Sequence, residues 1–388
     1  MKAKDTGRSA VEGARRIVVK IGSRVLVQKT GRPDLTRIKS LVKDLAKLRK
    51  AGREIVVVSS GAIGCGVDAL KLKTRPTSLP ELQMAAAVGQ TRLMSFYDKF
   101  FSAEKCRVGQ VLLTHGDLSD RRRHLNARNT MMALLRNGIV PIVNENDVVA
   151  VDEIKFGDND KLAALVALLI EADLLVLLTT VDGFQAPAGK GGRMRRVASL
   201  KNVTDEELQH AQGKGSHLST GGMASKLQAA NMVARVSAPV VIADGRKAGI
   251  LSRVLRGEDT GTMIMADAAS AQTMLAGRKR WIAFFQRAQG AIIVDDGARA
   301  AIETKGKSLL PIGIRNVEGS FAAGTVVNVR TVGGVLFACG VVDYSSDQIR
   351  KIMGHRTDEL AGILGFKDYD EVIHRDNMVV LGVELGGV

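Results

Sequence analysis

A short β-branched run that stops at small or polar residues, then a helical segment, recurs through the first two-thirds of the chain. The runs are RIVVKIGS (16–23), EIVVVSSGAIG (54–64), RVGQVLLT (107–114), GIVPIVNEND (138–147), LLVLLTTVDG (174–183) and PVVIADG (239–245). Between the first two, LTRIKSLVKDLAKLRKAG (35–52) sets Ile38, Leu41, Val42, Leu45 and Leu48 on one stripe and ends at Gly52. That pattern marks an amphipathic helix with a C-terminal stop. Strands that alternate with helices require a mainly parallel sheet covered on both faces. The expected fold is therefore α/β: an open, mainly parallel sheet sandwiched by helices. Ligands of such sheets collect at the carboxyl ends of the strands. Those ends carry Lys20, Ser59-Ser60-Gly61, Asn144–Asp147, Thr179-Thr180 and Asp244-Gly245.

The texture changes near residue 280. AGRKRW (276–281) reads as a basic, turn-like linker, and short alternating runs follow: GAIIVDDG (290–297), TVVNVRTV (325–332) and VLFACGVVDY (335–344). Gly333-Gly334 between the last two signals a hairpin. Two short helical stretches come next, near SSDQIRKIMG (345–354) and TDELAGILG (357–365). A length of 388 residues also favours two domains. We divide the chain into 1–278 and 279–388, the second a small β-rich domain of barrel type.

Aromatic residues make up 4% of the chain, so the core must come from Val, Ile, Leu, Ala and Met. Cys65, Cys106 and Cys339 form no C-x-x-C pair, and their odd number argues against a disulfide framework. The N-terminus, MKAKDTGRSAVEGARR, lacks the apolar core of a signal peptide. The most apolar stretch, 162–181, carries Glu171 and Asp173 at its centre; a membrane span would make that pair costly. A helix running into a buried strand explains it better, and the expected compartment is the cytoplasm, with no membrane contact. The formal net charge of +16 fits nucleic-acid binding, attraction of anionic metabolites or a solvated surface alike.

Three strand ends carry chemistry. KIGS (20–23) and SSGAIGCG (59–66) are glycine-rich loops after strands, where backbone comes close to a ligand and exposed N–H groups favour anions. Each alone also fits an ordinary βα turn. Lys20 is sharper, because an ammonium inside an apolar strand needs an anionic partner or must snorkel to the rim. STGGMASK (219–226) lacks Walker A spacing but offers N–H groups, hydroxyls and a lysine before a helical run, which suits a nucleotide phosphate. NENDVV (144–149) would serve a zwitterion, with a carboxylate for an ammonium and amides for a carboxylate; it also fits an Asx-rich turn. HRDN (374–377) has no companion kinase motifs. RRRH (121–124) reads as a charged face, and the six histidines show no metal-ligand spacing.

Together these stretches resemble the glutamate 5-kinases of the amino acid kinase family. The resemblance is carried by VVKIGS (18–23), VVSSGAIGCG (57–66), QMAAAVGQTRL (83–93), LNARNT (125–130), IVPIVNENDVV (139–149), FGDNDKLAAL (156–165) and STGGMASKLQAA (219–230). It continues through KRWIAFF (279–285), IIVDDGARAAI (292–302), SLLPIGI (308–314), VEGSFAAGTVV (317–327) and YSSDQIRKIMG (344–354), a tail similar to a PUA domain. Only the first dozen or so residues lie outside it.

The resemblance implies phosphorylation of the γ-carboxylate of L-glutamate by Mg·ATP, the first step of proline synthesis. It assigns ATP contacts to Lys20, Thr179, Thr180, Thr220, Gly221, Gly222, Met223, Ala224, Ser225 and Lys226. Substrate contacts fall to Ser60, Gly61, Ala62, Asn144, Asp147 and Asn159. Catalysis falls to Lys20, Lys226, Asp158 and Asp160, the two aspartates also being the candidate Mg²⁺ ligands. The family further implies a homo-oligomer (dimer or tetramer), inhibition by proline, and hand-off of product to glutamate-5-semialdehyde dehydrogenase. RNA binding through the PUA domain is the competing role. One departure stands out: Thr180 replaces the usual Asp after Thr, with Asp182 placed to compensate.

A carboxylate substrate, with pKa near 4.3, is already ionised at pH 7. It needs no general base, unlike a hydroxyl acceptor. The expected task of Asp158 and Asp160 is therefore to fix cations; the plain alternative is capping of the following helix.

Overall fold

The computed structural model describes residues 8–28, 31–150, 159–187, 192–212, 222–235, 238–266, 282 and 288–381. The chain divides into two compact units, Met1–Met274 and Leu275–Val388.

In the first unit the six apolar runs are strands: β1 (Arg16–Ile21), β2 (Glu54–Ser59), β3 (Arg107–Leu113), β4 (Ile139–Glu145), β5 (Leu174–Thr179) and, after three short strands, β9 (Val240–Asp244). The short strands are β6 (Gln185–Pro187), β7 (Met194–Arg196) and β8 (Ser199–Leu200). β6 and β7 form a separate antiparallel pair. With β10 (Thr262–Ile264), the main sheet has the order β3-β4-β2-β1-β5-β9-β10-β8. Pairing is parallel from β3 to β9; β10 runs antiparallel to β9. From β1 the chain goes to β2, then to β3 at the edge and back to β4 between those two, and crosses to β5 on the other side of β1. The crevice at the carboxyl ends of β1 and β5 is thus a topological switch point, where ligands bind in open α/β sheets.

Strands covered on both faces are buried along nearly their whole length: in β1 Ile17, Val18, Val19 and Ile21 are buried, as are all residues of β9. The helix Leu35–Lys50 starts on an Asp34 side-chain cap, buries its apolar stripe and stops before Gly52, whose φ is +84°. The apolar stretch 162–181 is a helix, Asp160–Leu169, then β5. Asp173 between them accepts the backbone N–H groups of Arg15 and Arg16. No helix among the described residues is long and apolar enough to cross a membrane. The three cysteines are buried and free.

One anchor comes from outside the family resemblance. Arg8 is buried and donates to the carbonyls of Glu258, Thr260, Ala198 and Gly261. A guanidinium has five donors in a fixed fork, so one side chain ties the chain's start to the β10 approach.

The second unit carries a five-stranded sheet, β12-β11-β13-β14-β15, made of β11 (Ala291–Val294), β12 (Ile314–Glu318), β13 (Val326–Thr331), β14 (Leu336–Val341) and β15 (Met378–Val380). Its described pairings run from β12 to β15. β13 and β14 form the expected hairpin, with Gly334 at φ +83°. Short helices Ser346–Ile352 and Leu360–Leu364 follow. HRDN falls on a 3-10 turn leading into β15. The linker stretch 276–281 lies outside the described residues.

Candidate active site

Lys20 is the fifth residue of β1, one before its end, and is 3% exposed. Its partner is Asp160, the first residue of the helix that precedes β5 and wholly buried. Lys20 Nζ lies 2.5 Å from Asp160 Oδ1. Lys226, in the first turn of the helix Met223–Ala234, reaches the other oxygen, Oδ2, at 2.9 Å. Ser225 Oγ lies 3.4 Å from that same oxygen. One carboxylate therefore holds two buried ammonium groups. Asn159 stands at the N-cap position, and its side chain makes no capping bond.

A cavity of about 320 Å³ opens beside the clamp, lined by Lys20, Gly22, Thr179, Thr180, Gly183, His210, Gly222, Met223 and Lys226 among others. Thr179 and Thr180 reach it because β5 pairs in parallel with β1, setting Leu178 beside Ile21. Gly222 caps its helix without a side-chain bond, so first-turn N–H groups are open to an anion. Ala224 lies in that same turn. Thr220, Gly221 and Asp158 lie outside the described residues. Asp182 differs from expectation: it pairs with Lys247 at 2.8 Å and is not among the cavity-lining residues.

A second polar cluster lies at the ends of β2 and β4. Asn159 Nδ2 donates to the Ser59 carbonyl at 2.5 Å and to Asn144 Oδ1 at 2.7 Å. Asn144 Nδ2 donates to Gln90 Oε1 at 2.8 Å. Ser60 Oγ is buried with no hydrogen-bond partner among the described residues. Gly61 adopts φ +101° and Ala62 opens the next helix, Ala62–Ala69. Asp147 is half-buried; burial pushes its carboxyl up to about 6, against the opposing pull of Arg75.

The turn is held from behind by two glycines. A Cβ on Gly66 would sit 1.7 Å from the Ala85 carbonyl oxygen, and one on Gly89 1.8 Å from that of Ala62. The helices Ala62–Ala69 and Leu79–Ala103 thus touch backbone to backbone. Gln90 and His210 were not among the sequence-derived site residues. QMAAAVGQ does carry the small residues that allow close helix packing, a signal that pointed to the helix though not to its glutamine.

Among the described residues the donors do not form a resident metal site. Both oxygens of Asp160 are engaged by lysines, and no group of three or more His, Cys, Asp or Glu among the described residues is placed to hold an ion.

A buried cation clamp beside a phosphate-sized cavity, on a parallel sheet, defines a phosphoryl-transfer class of site. The chain belongs to the amino acid kinase family, whose model matches residues 15–244, and its tail matches the PUA domain over 290–364. Within that family it is similar to the glutamate 5-kinase of Moorella thermoacetica, 48% identical over 97% of this chain and 98% of that one. The glutamate 5-kinase of Citrifermentans bemidjiense is 46% identical over 96% of this chain and all of its own. Among solved structures, carbamate kinase from Giardia lamblia bound to AMP-PNP aligns at 18% identity, with a TM-score of 0.47, over 66% of this chain and 100% of that one.

Proposed function

We propose that this chain transfers the γ-phosphoryl group of ATP to the γ-carboxylate of L-glutamate, giving γ-glutamyl phosphate for proline synthesis. The observation that carries the reading is Asp160 bridging Lys20 and Lys226 at the mouth of the cavity. The acceptor is anionic at pH 7 and meets an anionic phosphate. The obstacle is their repulsion, so ammonium groups fixed where the two anions meet supply what the reaction lacks. Lys20 and Lys226 stabilise the charge on the transferring group, and Asp160 keeps both ammonium groups aimed at it. No residue need accept a proton.

Thr179, Thr180 and the stretch 220–226 take the nucleotide. Ser60, Gly61, Ala62, Asn144, Asp147 and Asn159 take glutamate, with the Asp147 carboxylate facing the substrate ammonium. Mg²⁺ enters on the ATP phosphates, which suits an ion that keeps much of its shell from phosphate and water; Asp158 is the remaining candidate ligand. We carry over from the family a cytoplasmic homo-oligomer that hands its acyl phosphate to glutamate-5-semialdehyde dehydrogenase. An RNA role for the PUA domain gains no support from charge: from Leu275 onward the chain has 14 Lys and Arg against 13 Asp and Glu.

The test is an ADP-release screen over L-glutamate, aspartate, N-acetylglutamate and UMP, with hydroxylamine trapping the acyl phosphate. Glutamate alone should give both ADP and hydroxamate. Turnover of UMP or N-acetylglutamate in its place would overturn the reading.

A further inference from the structure

The amide chain at the ends of β2 and β4 has a polarity that can be traced from one fixed point. The Ser59 carbonyl only accepts, so the Asn159 atom 2.5 Å away is its NH₂ group. That same group donates to Asn144, which must present its oxygen. Asn144 is then left with its own NH₂ to donate onward, and Gln90 must answer with Oε1. The chain ends at Gln90 Nε2, which is buried and has no hydrogen-bond partner among the described residues. A buried donor left unpaired is costly, and this one cannot be relieved by flipping the amide without breaking the chain behind it.

The position of Gln90 is equally constrained. Gly89, its neighbour, packs against the Ala62 carbonyl with no room for a side chain. Gln90 therefore sits beside the Ser60–Ala62 turn, where Ser60 Oγ is also buried and has no partner among the described residues. Asn159 adjoins the lysine clamp; Gln90 lies two side chains further from it.

We propose that Gln90 is a substrate-binding residue, whose Nε2 donates to the α-carboxylate of the amino-acid substrate. This rests on the glutamate reading above. The γ-carboxylate must lie by the lysines to react, and the ammonium has Asp147. The end of the substrate remote from the clamp is the α-carboxylate, an acceptor that matches the unfilled donor. Gln90 thereby helps to select for substrates carrying a second carboxylate.

The experiment measures kcat/KM for L-glutamate and for its α-amide with wild type, Gln90→Glu and Gln90→Ala, alongside KM for ATP and a thermal melt. Losing a hydrogen bond to a charged group costs roughly ten- to a hundredfold in affinity. Gln90→Ala should raise KM for glutamate by that factor, more than it lowers kcat, with KM for ATP unmoved. Gln90→Glu replaces the donor by an acceptor, so it should repel glutamate and accept from the α-amide NH₂. The glutamate-to-amide preference should then fall by about ten- to a hundredfold. An unchanged preference ratio, with both substrates weakened together, would assign Gln90 to pocket shape alone and overturn the proposal. So would an unchanged KM for glutamate in both variants. Absence of glutamate turnover in wild type would instead sink the reaction assigned above.

Discussion

The two units of this chain differ in what their interiors contain. Both have apolar cores, but the first buries Lys20, Asp160, Lys226, Glu145 and Asp244, besides Arg8 and two buried asparagines. Among the described residues of the second, no charged residue is buried, and the hydroxyls of Thr331, Tyr344 and Ser346 lie in buried residues. The core of the second unit is built for stability: Ile292, Val327, Val329 and Phe337 are fully buried around its sheet. Ions inside the first unit cost folding energy, which a wholly apolar interior would avoid. Charge is buried where a reaction needs it.

The strongest way to break this contrast is to remove one cation. Lys20→Ala or Lys226→Ala should lower glutamate-dependent ADP release by about a hundred- to a thousandfold, with a folded circular-dichroism spectrum. Near-wild-type turnover in either variant would end the charge argument. Asp160→Asn should also destabilise the chain, by about 3–5 kcal/mol in a urea titration, because two buried ammonium groups lose their counter-ion.

Backbone contact comes next. Gly89→Ala places a methyl where a carbonyl oxygen already stands, and overpacking of this kind costs about 1–3 kcal/mol. The displaced turn should raise KM for glutamate before it affects KM for ATP.

Asp147 sharpens the comparison through pH. Its carboxyl, pushed up by burial to about 6, is anionic above that value and neutral below it. Glutamate affinity should be full above pH 7 and fall as pH drops through 6, by about tenfold at pH 5. In Asp147→Asn that slope should vanish and KM should be high throughout. The smallest catalytic effect belongs to the second unit. Phe337→Ala should cost that unit about 3–5 kcal/mol while both KM values hold; a loss like that of the lysine variants would erase the distinction between the units.

The sheet was legible because strands covered on both faces leave unbroken apolar runs, and the clean ends of β1, β2, β4 and β5 followed from them. Lys20 stood out because an ammonium is foreign to such a run. Its pairing with Asp160, 140 positions later, was not readable from spacing, since a crossover joins β4 to β5. The Asp182–Lys247 pair, at 2.8 Å, was not readable because 65 positions separate the two residues. Gln90 was missed since a glutamine on a helix reads the same facing water or a pocket. Arg8 is one of several basic residues near the start of the sequence, and its contact with four carbonyls, which distinguishes it, is tertiary. The hairpin at Gly333-Gly334 was plain, because local turn chemistry determines it.

The clamp's seclusion has a consequence for ionic strength. Dissolved ions screen charges in contact with solvent and hardly reach those removed from it. Almost all of the +16 excess belongs to the first unit, where outward-facing lysines and arginines attract an incoming polyphosphate. Added potassium chloride should therefore slow the encounter with ATP while sparing the bond-making step. The enzyme would lose grip on dilute nucleotide in brine, yet turn over at nearly its usual pace once saturated.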